Sequence, residues 1–353
     1  MTVLPSKIAG DRAPLAVTMG DPAGVGLELI AAAWHERRAA ELAPFIYYGS
    51  VAELERRASS IGRPLPVCAI THTSQAVTCF DTALPAIDLP LAATAYAGHA
   101  DPANGAAVIR SIEMAVADTV AGNTGAVVTN PIAKSVLYQA GFTYPGHTEF
   151  LAALARLHVP GAIVYPVMMI ASDELRVVPL TIHIPLAEVP HAITADAVIT
   201  TVRVMVAALK RDFGLSHPRI AVAGLNPHAG EDGSMGSEDQ TVVAPAVADL
   251  VAEGLDVTGP HSADTLFHQE RRKSYDAVLA MYHDQALIPA KTLAFDSGVN
   301  VTLGLPFVRT SPDHGTAFDI AGMGTAKPTS FIAALRLAHQ MRLARAAAEM
   351  SRA

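Results

Sequence analysis

Short, nearly continuous apolar runs recur along the chain, separated by longer stretches in which apolar residues return every three or four positions. Leu15–Met19, Phe45–Tyr48, Ala126–Thr129, Leu175–Ile182, Arg219–Gly224, Ala277–Tyr282 and Val299–Leu303 read as strands. Their β-branched residues do not alternate with polar ones, which predicts strands covered on both faces, as in an α/β sheet. The intervening amphipathic segments predict helices over Val25–Arg38, Asn104–Ala121, Glu149–Leu157, Ala195–Arg211, Gln240–Glu253 and Ser330–Ala348. Asp101-Pro102 and Thr194 supply start signals for two of them. No internal repeat, low-complexity tract or long linker interrupts this alternation.

Length and charge narrow the picture. A chain of 353 residues exceeds the usual single core, so two domains are expected. Lys+Arg 25 against Asp+Glu 33 gives a net charge of −8, which argues against a nucleic-acid partner, since duplex affinity rests on neutralising phosphates. The longest apolar stretch, GAIVYPVMMIA (161–171), is too short to span a bilayer, so no membrane partner is expected. The first seventeen residues carry charges where a secretory leader would be apolar. Two cysteines, Cys68 and Cys79, make no disulfide framework; they read as packing residues in a reducing, cytoplasmic setting.

Candidate chemistry gathers at strand ends. Three predicted strands run into histidine, at His183, His228 and His283. Open α/β sheets place their working crevice at the carboxyl ends of strands, so three imidazoles there could bind one divalent ion with a position left for substrate. The competing reading is that each satisfies a loop hydrogen bond. Asp284, directly after His283, could orient a ligand or accept a proton, or simply cap a turn. Lys134, Lys291 and Arg309 lie close to strands and could clamp a phosphate or carboxylate, although each alone reads as a solvated charge. Pro131 suits a helix's first turn, whose N–H groups would add anion affinity. The turn Gly20-Asp21-Pro22-Ala23-Gly24-Val25-Gly26 is neither a dinucleotide fingerprint nor a P-loop; it is an anion-binding turn or a tight strand-to-helix connection.

Longer motifs carry a resemblance. The segment DHGTAFDIAGMGTAKP (313–328) resembles the adenine-side cofactor loop of isopropylmalate and isocitrate dehydrogenases. VTMGDPAGVG (17–26), TNPIAK (129–134), GHTEFLA (146–152), HIPLAEVP (183–190), GLNPHAGEDGSMGSED (224–239), GPHSADTLF (259–267), MYHDQALIPAK (281–291) and VNVTLGLPFVRTSPDHGTAFDIAG (299–322) resemble the 4-hydroxythreonine-4-phosphate dehydrogenase family, from about residue 14 to the last helix.

The resemblance implies an isocitrate/isopropylmalate dehydrogenase-like α/β fold of two α/β/α domains with a cleft between them. The expected ranges are 1–130 with 300–353 on the cofactor side, and 131–299 on the metal and dimer side. It implies oxidation of 4-phosphooxy-L-threonine by NAD or NADP, followed by loss of CO₂ to give 3-amino-2-oxopropyl phosphate, for pyridoxal phosphate biosynthesis. Implied metal ligands are His183, His228 and His283, for Zn, Mg or Co, with His283 supplied across a homodimer interface. Implied substrate contacts are His147, Thr148, Lys291, Asn300 and Arg309, and implied cofactor contacts are His314, Gly315, Thr316, Ala317 and Asp319. Asp264, Asp284 and Lys134 are the candidates for proton handling, beside Glu149.

The chain departs from the family pattern at Leu27, Ile182, Ala286, Met323 and Lys327. Alternatives are therefore a related dehydrogenase of 4-phospho-D-threonate, 4-phospho-D-erythronate or an aromatic dihydrodiol. Outside that class stand a metal-dependent hydrolase and a metal-independent phosphate-binding acyltransferase.

Overall fold

The computed structural model describes residues 13–351. The expectation about a leader falls mainly on residues 1–12, which lie outside the described residues. The described chain forms two compact units, residues 13–166 with Leu305–Ser351, and Val167–Gly304. Residues 131–166, expected with the second domain, belong to the first unit because the helices Lys134–Gln139 and His147–His158 both lie against the helix Gly105–Val120.

The first unit holds six parallel strands in the order β3-β4-β2-β1-β5-β12: β1 Leu15–Thr18, β2 Phe45–Gly49, β3 Val67–Ala69, β4 Leu84–Asp88, β5 Val127–Val128 and β12 Arg309–Pro312. β1 and β2 are buried along their whole length. The helices Gly26–Glu36, Gly105–Val120 and Thr329–Met350 bury Leu29, Ile112, Phe331 and Leu335 in this unit's core. That double cover explains the unbroken apolar strand pattern. The chain leaves β1 toward β2 on one side and returns to β5 on the other, a switch point that opens a crevice at the carboxyl ends.

The second unit holds β6 Val167–Ala171, β7 Arg176–Pro179, β8 Ile220–Ala223, β9 Val257–His261, β10 Ala277–Ala280 and β11 Val299–Leu303, in the order β11-β6-β7-β10-β8-β9. β6 is antiparallel to both its neighbours; β7, β10, β8 and β9 run parallel. Ile170, Val177, Ala221, Val278 and Ala280 share a core with Leu266, Tyr275 and Leu287.

All seven predicted strands form, with ends that differ from the expected ones by up to three residues. The predicted helix Gln240–Glu253 begins as a π-helical turn, Asp239–Val243, before Ala244–Ala252. Thr194 caps its helix as expected, accepting from the Ala197 N–H at 3.1 Å. Asp101 instead caps the short turn Pro102–Asn104 that leads into the helix. Pro131 is not helical; the helix begins at Lys134 and runs six residues, so the expected anion-binding turn at Pro131 is not there. No single helix among the described residues is long and apolar enough to cross a membrane.

Candidate active site

The second unit brings three histidine-bearing segments to adjacent strand ends. β10 lies between β7 and β8, so the chain leaving each strand carries His283, His183 and His228 respectively. These ends are tied beyond the strands. Leu180 N–H donates to Ala280 O at 2.8 Å, and Thr181 Oγ1 to Met281 O at 2.8 Å. The Gln285 amide accepts from Met281 N–H at 2.7 Å and donates to Gly224 O at 2.8 Å, which joins the β10 and β8 ends.

His228 sits in an unusual turn. His228, Ala229, Gly230, Glu231 and Asp232 are all left-handed, with φ from 40° to 84°. Four non-glycine residues in that region cost backbone energy, which the surroundings must offset. The anchor is Asp239, fully buried, whose carboxylate accepts from Leu225 N–H at 2.7 Å, Asn226 N–H at 3.0 Å and Asn226 Nδ2 at 3.0 Å. Sequence reading missed Asp239; its only signal is a carboxylate at the start of an apolar segment.

Within one chain the imidazoles do not form a triad. The His183 and His283 rings stand 6.0 Å apart between centroids. His283 opens the helix His283–Ala294 rather than ending a strand, and its Nδ1 lies 2.7 Å from Asp284 Oδ1. His228 is exposed and lies near Asp264, whose carboxyl is held below the usual carboxylate range chiefly by the Ser262 hydroxyl at 2.5 Å and also by His228. Asp264 is therefore an acceptor rather than an acid at neutral pH. Among the described residues no three His, Cys, Asp or Glu side chains are grouped to hold a metal ion.

The donor set nevertheless suits a divalent cation. Imidazole is the commonest metal ligand, and the carboxylate on His283 Nδ1 is the kind of partner that fixes a ligand's tautomer. Also in this unit, Lys291 places Nζ 5.8 Å from the Phe295 ring, and Asn300 lies half-buried on β11 opposite Ile170.

The first unit carries a cationic cluster. Arg309, 4% exposed on β12, donates from Nε and Nη2 to Thr129 Oγ1 at 3.2 and 2.7 Å. Burial pushes its guanidinium down to about 10, so it remains a cation at neutral pH. His147 and Thr148 form the first turn of the helix His147–His158. His147 Nε2 is enclosed with no hydrogen-bond partner. Burial, followed by the charges of Arg309 and Lys134, holds this imidazole well below its ordinary value, and therefore neutral. A Cβ at Gly146 would stand 3.1 Å from Lys134 Nζ and 3.2 Å from Glu149 Oε2, so both groups flank the helix start. A buried cation, an unpartnered imidazole and free helical N–H groups make a receptor for an anion.

The predicted cofactor loop follows β12 in the same unit. His314, Gly315 and Asp319 are exposed; Thr316 and Ala317 are half-buried, and Ala317 is left-handed with φ 46°. A Cβ at Gly315 would meet nothing within 4 Å, so that backbone lies open to close approach by a flat ligand. The exposed face fits a dinucleotide, while Asp313 N–H on Ser330 Oγ at 3.1 Å and Val25 N–H on Thr316 O at 3.0 Å fix the loop from beneath.

Comparisons with known proteins show the family. The family described as Pyridoxal phosphate biosynthetic protein PdxA matches residues 41–338. A 4-hydroxythreonine-4-phosphate dehydrogenase of Bradyrhizobium diazoefficiens is 52% identical over 339 residues, 94% of this chain and 98% of its own. Another, from Methylorubrum extorquens, is 55% identical over 336 residues, 95% of this chain and 96% of its own. The crystal structure of 4-hydroxythreonine-4-phosphate dehydrogenase from Klebsiella pneumoniae is similar at TM-score 0.83 and 39% identity, over 94% of this chain and 98% of that one.

Proposed function

The chain belongs to the PdxA family of pyridoxal phosphate biosynthetic proteins, and on that premise we propose that it is an NAD(P)-dependent dehydrogenase of 4-hydroxythreonine 4-phosphate. The secondary hydroxyl is oxidised to a ketone, for which a bound nicotinamide dinucleotide would supply the two-electron acceptor, and the resulting β-keto acid loses CO₂ to give 3-amino-2-oxopropyl phosphate. The observation that carries the reading is the agreement between relatives more than half identical over nearly the whole chain and a buried anion receptor built on Arg309 and His147. The alternatives of a dihydrodiol dehydrogenase, hydrolase or acyltransferase are not favoured, because these relatives carry the phosphorylated hydroxythreonine name.

The residues divide the work. Arg309, with His147, Thr148 and Lys134, receives the phosphate or carboxylate. A neutral His147 donates its Nε2–H to the anion without adding a second buried cation beside Arg309. Lys291 and Asn300 are the remaining substrate contacts. The segment His314–Ala317 with Asp319 takes the adenine side of the dinucleotide. His183 and His228 of one subunit, with His283 of a second copy, would hold the divalent ion. When bound, that ion supplies Lewis-acid polarisation of an oxygen, and the nicotinamide supplies the hydride acceptor. Asp284 orients His283 through Nδ1, and Asp264, kept ionised, is the proton acceptor near His228.

The reading requires a homodimer, since His283 would come from a second copy. Apolar surface beside these residues supports it. Ile288, 64% exposed, borders a groove of about 410 Å³ lined with Phe267, Tyr282, Pro289 and Leu293. The reading places the enzyme in the cytoplasm, where its nicotinamide substrates are.

The test is direct. Protein supplied with Zn²⁺, Mg²⁺ or Co²⁺, NAD⁺ or NADP⁺ and 4-hydroxythreonine 4-phosphate should give rising absorbance at about 340 nm, the reduced nicotinamide band. Release of inorganic phosphate without that rise would identify a hydrolase and end the proposal.

A further inference from the structure

The Gly20–Gly26 turn, open in sequence between an anion loop and a connection, is spent inside the first unit. Its carbonyls face a guanidinium. Arg57, 1% exposed, donates from Nη2 to Pro22 O and from Nη1 to Gly24 O, each at 3.0 Å. Nη1 also lies 3.3 Å from Glu28 Oε1. Glu28, 3% exposed, turns both carboxylate oxygens to the far end of the predicted cofactor loop. Oε1 accepts from Gly322 N–H at 2.5 Å, and Oε2 from Gly324 N–H at 3.1 Å. Both glycines are left-handed, with φ 83° and 69°, which aims their N–H groups at one acceptor.

The same loop is held by close backbone approach. A Cβ at Gly24 would stand 2.8 Å from Thr316 O, one at Gly98 2.9 Å from Phe318 O, and one at Gly322 2.8 Å from Ala97 Cβ. Gly98 N–H in turn donates to Ala23 O at 2.9 Å. The turn, the 97–98 segment and the loop are thus locked together, with Asp21, Glu28 and Arg57 buried among them and Glu53 Oε1 3.9 Å from Arg57 Nη2.

We propose that Glu28 and Arg57 are positioning residues that hold residues 313–324 in the conformation that receives the dinucleotide, so that cofactor affinity is set from the buried side of the loop. The proposal rests on the dehydrogenase reading above. Neither residue touches the cofactor. Glu28 fixes the backbone path after Asp319, and Arg57 keeps Glu28 seated while bracing the turn against Thr316. A core ion pair without this role would alter stability and leave affinity alone.

The experiment uses the full chain with Glu28→Gln, which keeps the shape, removes the charge and leaves one acceptor for two N–H groups. Calorimetric titration with NAD⁺ and NADP⁺ should show about tenfold weaker binding of the preferred dinucleotide, as expected for one charge-assisted bond. Amide exchange should quicken at 316–325 and stay unchanged around His183 and His228. Turnover at saturating cofactor should remain within about twofold, since the reacting atoms are untouched. Should Glu28→Gln fail to fold, Arg57→Lys, which keeps the charge and loses the fork, reads the same affinity. A dissociation constant within twofold of the unaltered protein, or equal losses for substrate and cofactor, overturns the proposal. Absence of dinucleotide binding in the unaltered protein removes the cofactor reading as well, whereas failure in the variants alone removes only the positioning role.

Discussion

Replacing Arg309 with methionine should separate binding from folding, because the two respond with opposite sign. The guanidinium is fully buried and pushed down to about 10 from an ordinary value of 12.5. At about 1.36 kcal/mol per pH unit, holding the charge there costs the empty protein roughly 3 kcal/mol. Methionine relieves that cost and loses the bonds Arg309 makes, those to Thr129 Oγ1 among them, each worth about 0.5–1.5 kcal/mol. The two contributions oppose each other, so Tm should move by no more than about 5 °C in a protein of this size. Affinity behaves otherwise. Losing a desolvated, charge-assisted contact to a phosphate costs about 3 kcal/mol, which is roughly a hundredfold rise in KM for the phosphorylated substrate. Thermal unfolding of the empty protein and initial rates with each substrate varied in turn provide the assay. A Tm drop beyond about 10 °C would make Arg309 a structural keystone. An equal rise in KM for NAD⁺ would refute its assignment to the anion.

Two further outcomes follow. The folded His147 imidazole is held down by burial and by neighbouring cations, so the unfolded chain takes up the proton first as pH falls. Stability is therefore full above about 6.5 and declines below it, by about 1.4 kcal/mol from this group at pH 5.5, until the folded group also titrates; unfolding of wild type and His147→Gln at both pH values should show a loss smaller by that amount in the variant, the remainder coming from groups such as His261, also held down by burial. If the divalent ion needs His228 and His283 from different subunits, His228→Ala and His283→Ala should each be inactive and release metal, yet mixed dimers refolded from the two should regain about a quarter of wild-type activity, since one of two sites is intact in half the dimers. No recovery on mixing would place all three ligands in one subunit.

What could be read in advance follows burial. β1 and β2, covered on both faces, are plain apolar runs and were legible. β12 was not, because its buried residues are Arg309, Thr310 and Ser311, which satisfy their polarity inside the unit: Arg309 through Thr129, and Thr310 through Ala334 O at 2.9 Å. β3 is three residues long and half-exposed, and periodicity needs more length than that. The three histidines were legible by position, since each follows an apolar run. The residues that seat them were not. Asp239 lies eleven residues from His228 in sequence and acts through backbone N–H groups that no side-chain pattern reveals.

By itself the sequence determined the α/β alternation and the family, because hydrophobic period and motif are local properties of the chain. Tertiary structure alone decided the rest. It set the His183 and His283 rings 6.0 Å apart, left His147 Nε2 enclosed without a partner, and turned Glu28 from a helix residue into an acceptor for Gly322 and Gly324. These are consequences of desolvation and of contacts across hundreds of residues, and a charge's or an imidazole's behaviour depends on what surrounds it in space, which the order of residues along the chain does not state.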